Sequence, residues 1–238
     1  MKALLVTDAA LKYSRTHGFV DHFDCLNSAR WTSTLTDSGT AAVGDEVSGV
    51  VTLSPSDGTV ADNDEAYVAT KEIYKIASSK PIEFGALVQF TQAATNAANV
   101  FVGLMDAVAA NALQDNGGGP KSSFSGAGFF CKDGNLNWHA IYSDGSTQTI
   151  AELTATNSLN KQANAGASAA FQLLEIDIVP KTSTLVDVIF KINGSTVYKM
   201  LDRTYANATE VSAAFGVKNG TAAQQTLKVD AVASLQSV

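Results

Sequence analysis

Short runs of alternating apolar and polar residues, broken by turns bearing Gly, Asn and Asp, organise this chain. In Ser183–Met200, Val186, Val188, Phe190 and Ile192 alternate up to Asn193-Gly194, and Val197 opens a return strand. Period-two patterning places successive side chains on opposite faces, so this segment predicts a hairpin with one buried face and one exposed face. Further strands are expected over Gly49–Pro55, Ala66–Ile76, Ile82–Gln92, Asn99–Ala107, Phe171–Val179, Ala213–Asn219 and Thr226–Gln236. Between Gly126 and Leu153 a cluster of hairpins is marked by Asp-Gly at 133–134 and 144–145, pairs that tolerate the positive φ of a type I′ turn. Ser56–Ala66 reads as a polar turn region, and Leu113–Gly126 as a loop rich in Gly and small polar residues. Only Asp106–Asn116 and the first dozen residues look helical.

Ten or so strands at short spacing, without helices between them, predict an all-β chain folded as an antiparallel β-sandwich or jelly roll. With 238 residues and no composition break, a single sandwich domain is expected over 19–238. Residues 1–18 would form an arm or short helix outside it.

Composition narrows the chemistry. Apolar residues make up 45% and charged residues 16%, which is globular but poor in charge. The formal charge of −7 and the scattering of 16 Lys and Arg argue against nucleic acid, which requires a basic surface to displace counterions. No apolar run is long enough to span a membrane as a helix. Asp8 interrupts the apolar start in MKALLVTDAALKYSR, so use without a cleaved signal is expected. Cys25 and Cys131 are too few for a disulfide framework or a zinc site, and each is expected to be a small buried hydrophobe. Of the three Asn-x-Ser/Thr triplets, at Asn193, Asn207 and Asn219, two are Asn-Gly pairs better read as turns.

The order of elements resembles concanavalin A-like lectin/glucanase and laminin G-like sandwiches. The pieces that carry it are FVDHFDCLNSARW (Phe19–Trp31), NVFVGLMDA, GAGFFCKDGNLNWHA, VIFKINGSTVY and FGVKNG…TLKVD, in that order. Within that superfamily, DNDEAYVAT (Asp62–Thr70) with NVFVGLMDA looks like tailed-phage virion structural proteins. The resemblance implies a non-enzymatic protein that decorates or cements a capsid, bridging copies of the major capsid protein. It would associate with copies of itself, as a homotrimer with an interlocking N-terminal arm, and reside in virions assembled in the host cytoplasm. A carbohydrate-binding module of a phage tail or fibre is the alternative, with a glycan as partner, and a degenerate β-glucanase-like hydrolase is the third reading.

The hydrolase reading rests on LLEIDIVPK (Leu173–Lys181), which looks like the glucanase strand with Glu-x-Asp-x-Glu or Glu-x-Asp-x-x-Glu. Glu175 and Asp177 fit the first two positions and share a strand face, while Leu174, Ile176 and Ile178 share the other. A retaining glycosidase needs two carboxyl groups flanking the scissile bond, and the last position falls here on Val179 or Pro180. Neither transfers a proton. Asp57, Asp62, Asn63, Asp64 and Glu65 offer hard oxygen ligands for calcium, but without EF-hand spacing they read as turn residues. His17, Asp21, His22 and Asp24 read as solvated positions beside core Phe19 and Phe23, with His22 and Asp24 on one strand face and Asp21 on the other. Trp31 and Trp138 have natural core roles, and Tyr142 and Tyr198 are the tyrosines left for an exposed sugar platform. No catalytic, cofactor-binding or metal-ligating residue is assigned, and no cofactor is expected.

Overall fold

The computed structural model describes residues 16–44, 46, 48–56, 58–71, 73–76, 80–92, 97–106, 108–159, 170–205 and 210–237. The chain forms β1 (Thr16–Asp21), β2 (Trp31–Leu35), β3 (Thr40–Gly44), β4 (Val50–Ser54), β5 (Glu65–Thr70) and β6 (Tyr74–Lys75). Next come β7 (Ile82–Gln92), β8 (Ala98–Met105), β9 (Leu113–Gln114), β10 (Gly119–Pro120), β11 (Ser125–Lys132) and β12 (Asn135–Asp144). The last are β13 (Gln148–Glu152), β14 (Gln172–Pro180), β15 (Leu185–Ile192), β16 (Ser195–Thr204), β17 (Glu210–Asn219) and β18 (Gln225–Ser237).

Two antiparallel sheets stack as a sandwich. The first runs β16-β15-β14-β7-β18-β4-β3, with β1 beside the C-terminal half of β18. The second runs β13-β12-β11-β8-β17-β5-β2, with β6 beside the start of β17. Alternation decides which side chains enter the core. In β14 Leu174, Ile176 and Ile178 are buried, and in β15 so are Val186, Val188, Phe190 and Ile192. They meet Val100, Val102, Leu104, Phe129, Trp138 and Phe215 of the second sheet in one continuous apolar layer. Phe129 is the hinge of the aromatic packing, edge-on to both Phe190 (5.4 Å) and Trp138 (6.2 Å). Each such side chain fully removed from water contributes about 1.5–3 kcal/mol.

The expected hairpins form, but positive φ at both turn residues, the type I′ signature, occurs only at Asn193-Gly194; at Asp133-Gly134 and Asp144-Gly145 only the glycine has it. Asp133-Gly134, Asp144-Gly145 and Asn193-Gly194 lie between paired strands, with Asn193 at φ 52° and Gly194 at φ 78°. Asn219-Gly220 is different: Asn219 ends β17 buried, and its amide donates to Ser56 and to the Ala61 carbonyl.

Two expectations need correction. The helix expected over Asp106–Asn116 is absent; among the described residues the only helical turn there is a 3₁₀ turn at Asp115–Gly117. Asn111 (φ 59°) and Asn116 (φ 53°) both take left-handed backbone, which breaks any α-helical run. Nor does the opening strand reach His22 and Asp24. It ends at Asp21, and Phe23 turns back at φ 54°, its N–H donated to the Asp21 carboxylate (2.8 Å).

Thr16–Gly18, placed by the sequence reading in the arm, belong to β1 and pair with Leu235–Ser237. The remainder of the arm and the first-dozen helix lie outside the described residues, as do Asp57 and Asn207.

Candidate functional site

The strand that looks catalytic turns its carboxylates to the outer face of the first sheet and pairs them there. Glu175 accepts the Gly194 N–H (3.0 Å) at the next hairpin, and Asp177 lies 2.5 Å from Lys191. Burial draws the Lys191 pKa down, but the Asp177 hydrogen bond and the charges of Asp177, Glu175 and Glu83 outweigh it and hold it above the ordinary value. Val179 is exposed where a third carboxylate would stand. β14 therefore brings together the first two residues of the glucanase pattern, with Val179 in the third position and Glu83 of β7 as the cross-strand neighbour of Asp177.

The oxygen-rich segment 62–65 disperses. Asp64 is buried and accepts from the Ser56 hydroxyl and the Ala61 N–H (2.8 Å) at one end of the sandwich. Glu65 points to the outer face of the second sheet. No group of three metal-ligating His, Cys, Asp or Glu side chains occurs among the described residues. The His17–Asp24 cluster is likewise structural: Asp21 accepts from Trp31 Nε1 (2.9 Å) and pairs with Arg30 (3.3 Å), while the His17 ring lies 5.8 Å from Tyr74. Trp31 and Trp138 are in the core, and Tyr142 is buried too, its hydroxyl donated to the Thr204 carbonyl (2.8 Å). Of the proposed platform only Tyr198 keeps partial exposure. Cys131 is buried as expected, but Cys25 is exposed.

The most elaborate chemistry lies on the outer face of the second sheet, among residues that no catalytic or metal-binding sequence motif marks. Tyr67, Phe101, Met105, Phe130, Ile141 and Ala214 project from it. Two rings lie flat over glycines on neighbouring strands. A Cβ on Gly216 would come within 2.4 Å of the Tyr67 ring, and one on Gly128 within 2.3 Å of Phe101. Residues 108–124 cross this face as a strap, pressing Ala112, Leu113 and Phe124 onto it as a second core. At its base the Asp106 and Ser125 backbones bond to each other, and the Asp106 carboxylate accepts the Ser125 N–H (2.7 Å).

A buried cation pins the strap. Lys218 of β17 lies 3.3 Å from Glu65 of β5 and 2.5 Å from Asp115 of the strap. It also donates to Asn111 Oδ1 (2.9 Å) and the Leu113 carbonyl (3.2 Å). Glu65 in turn accepts from Tyr67 (2.6 Å) and from the Asn111 N–H (2.8 Å), and the Tyr67 oxygen accepts the Leu113 N–H (3.0 Å). Burial, then the Glu65 charge, pushes the Tyr67 pKa far above the ordinary phenol. Further along the face, His139 is buried and stacks on Phe130 at 4.8 Å, its Nδ1–H donated to the Asn137 carbonyl (2.9 Å). Burial lowers its pKa.

Open depressions occur among the described residues, two of them beside the elements above. One, of about 200 Å³, lies beside the strap on the same outer face, lined by the hydroxyls of Thr32, Thr34, Thr70 and Ser212 with Lys71 and Val108. The other, of about 140 Å³, is a polar notch between β12–β13 and β16 with Asp144, Asp202 and Arg203. Desolvation raises the Asp144 pKa, but hydrogen bonds from Thr147, Ser146 and Thr204 outweigh it and hold it low. Arg203 donates to Thr149 (3.2 Å).

No protein-family model matches the chain, and no curated protein matches it. Solved structures do. It is similar to the potassium-bound Emp46p carbohydrate recognition domain at 11% identity (TM-score 0.57), covering 91% of this chain and 95% of that one. It is similar to an endo-β-1,4-glucuronan lyase from the fungus Trichoderma reesei at 12% identity (TM-score 0.59; 91% and 94% covered). It is also similar to an endo-1,3-β-glucanase from Streptomyces sioyaensis at 12% identity (TM-score 0.58; 94% and 97% covered). At these identities the likeness is one of fold: this is a concanavalin A-like lectin/glucanase sandwich, a scaffold shared by sugar-binding and sugar-cleaving proteins.

Proposed function

We propose that the chain is a non-enzymatic structural protein of a phage particle that decorates or cements the capsid by bridging its subunits. The observation that carries this reading is the strap. The strap covers the aromatic outer face of the second sheet and commits it to internal packing. Both carboxylates of the glucanase-like strand are engaged by their own hairpin, Asp177 by the Lys191 ammonium and Glu175 by the Gly194 N–H. What remains for function is surface. Val179 on β14 and Leu201 on β16 are exposed large hydrophobes of the first sheet, with β15 between their strands, and Ile150 and Leu159 are exposed on the flank formed by β13 and β16. The low charge fraction and the resemblance of DNDEAYVAT and NVFVGLMDA to virion proteins support the same reading. Repeated weak contacts on a lattice supply avidity without any single strong site. Quantifying the protein in purified particles tests this. A fixed ratio to the capsid subunit, with particles less heat-stable in its absence, is expected; a few copies per particle would refute the capsid role.

The second reading, carbohydrate binding, is favoured by the hydroxyl-lined groove around Thr32, Thr34, Thr70 and Ser212 and by the fold shared with carbohydrate recognition domains. A glycan array with and without calcium tests it: binding lost in Thr34→Val supports the groove, and no binding at high protein concentration eliminates it.

A further inference from the structure

The sandwich treats its two flanks differently. An edge strand exposes a row of unpaired N–H and C=O groups, and monomeric proteins blunt such edges with charges, proline or bulges. On one flank the edge strands are guarded. β16 carries Lys199, Asp202 and Arg203 and two register shifts against β15, and β13 carries Glu152. On the other flank, β2 (Trp31-Thr-Ser-Thr-Leu35) and β3 (Thr-Ala-Ala-Val-Gly) have neither charge nor proline, and each pairs on one side only among the described residues.

The backbone of β2 specifies what could dock there. Thr36 donates its N–H to Glu65, and Lys71 donates to the Arg30 carbonyl, so the even-numbered residues of this stretch bond inward to β5. The odd-numbered residues face out. Ser33 offers its N–H and C=O, Leu35 its N–H, and Trp31 its C=O; the Trp31 N–H is held by the Asn27 carbonyl (2.8 Å).

We infer that β2 is a self-association edge, joining two copies of this chain antiparallel about a two-fold axis through Ser33. The sequence Thr-Ser-Thr reads the same in both directions, so the axis sets Ser33 opposite Ser33 and Thr32 opposite Thr34. Thr–Thr pairs are favourable across antiparallel strands. The outward groups also match: Ser33 exchanges two hydrogen bonds with its counterpart, and each Leu35 N–H meets the other copy's Trp31 carbonyl. Leu35, 42% exposed in one copy, would sit opposite Trp31 of the other. The result is one continuous sheet, with the two hydroxyl-lined grooves adjoining at the axis, because Thr32 and Thr34 line them. An isologous contact closes on itself and makes a dimer, in place of the trimer implied by the virion resemblance. This pairing rests on the β2 geometry and is independent of the capsid reading.

Sedimentation of the full chain and of cysteine variants tests it. The intact chain is expected at twice its 24.8 kDa mass. Ser33→Pro, which removes only an outward N–H, and Ser33→Lys, which restores an edge charge, should each be monomeric with an unchanged circular dichroism spectrum; if Ser33→Pro fails to fold, Ser33→Lys decides. In a Cys25→Ser background, Ser33→Cys should form a cross-linked dimer on mild oxidation. Its Cα atoms would lie ~5.5 Å apart as a hydrogen-bonded pair, within the disulfide range. Thr32→Cys places like residues on the diagonal, ~7–8 Å apart, and should cross-link about tenfold more slowly. A monomeric intact chain, an oligomer surviving both Ser33 variants, or equal cross-linking at 32 and 33 would overturn the assignment.

Discussion

Lys218 and Glu65 are register partners on β17 and β5, and the ammonium lies 3.3 Å from the carboxylate with both side chains buried. Between them they collect donors and acceptors from three segments, so the pair joins the sheet to the strap rather than merely joining two strands. Removing one member of such a pair leaves the other as an uncompensated buried charge. Lys218→Met is therefore expected to cost about 3–5 kcal/mol in chemical denaturation. The Glu65→Gln/Lys218→Met double variant should lose less than the sum of the singles, by at least ~1 kcal/mol. Asp115 is half-exposed, and Asp115→Asn should change stability by less than ~1 kcal/mol.

Phe124 is the apolar counterpart of that clamp. Its ring is fully buried edge-on to Phe101 at 6.0 Å, and its carbonyl accepts from the Ser143 hydroxyl and the Gly145 N–H (3.1 Å). Phe124→Ala should destabilise by about 3–5 kcal/mol. The loss should be concentrated in the strap, so that hydrogen exchange accelerates at Asn111 and Leu113 well before it does at Val102 or Phe129. Equal acceleration at all four amides would mean that strap and sandwich unfold as one unit.

The two thiols should separate cleanly. Cys25 is exposed, whereas Cys131 faces the core and burial pushes its pKa up to about 12. The thiolate is the reactive form. An aromatic disulfide reagent is expected to titrate one thiol per native chain at neutral pH and the second only in denaturant, and Cys25→Ser should abolish the native reaction.

How much of this could be read from sequence follows from where alternation is informative. β14 and β15 each bury one face, so period-two patterning identifies Leu174, Ile176 and Ile178 as core and Glu175 and Asp177 as surface, as found. β8 buries both faces, Val100, Val102 and Leu104 inward and Phe101 and Met105 under the strap. Such a strand reads as a continuous apolar run and does not say what covers its second side. The signal for a cover was present in Leu113 and Phe124, large apolar residues inside a Gly-rich loop. Alanines in the preceding stretch suggested a helix, a local preference overridden by the contacts that Ala112 and Leu113 make with the sheet. Nothing in the local pattern of β17 marks Lys218 as buried. Its partners, Glu65 and Asp115, lie more than a hundred residues away in sequence, beyond the reach of any local pattern.

The pH dependence of stability should carry the signature of His139. Burial against Phe130 disfavours the imidazolium, with the Lys132 charge adding to this, while the Asn137 and Phe130 backbone and the Glu152 charge partly offset it. The folded-state pKa therefore lies below the unfolded value of about 6.5. Between the two values the unfolded chain binds the proton and the folded chain does not, so stability rises with pH across that window. The contribution is fully present above ~6.5 and is lost as pH falls through the folded pKa. Asp144 and Glu152, whose carboxyls are held low by hydrogen bonds, act in the same direction but only below ~4, where carboxylates begin to protonate. Denaturation midpoints measured from pH 8 down to about 2 should thus fall in two steps, the upper from His139 and the lower from the carboxyls. His139→Phe, which keeps the stack on Phe130 but cannot titrate, should erase the upper step and leave the lower one intact.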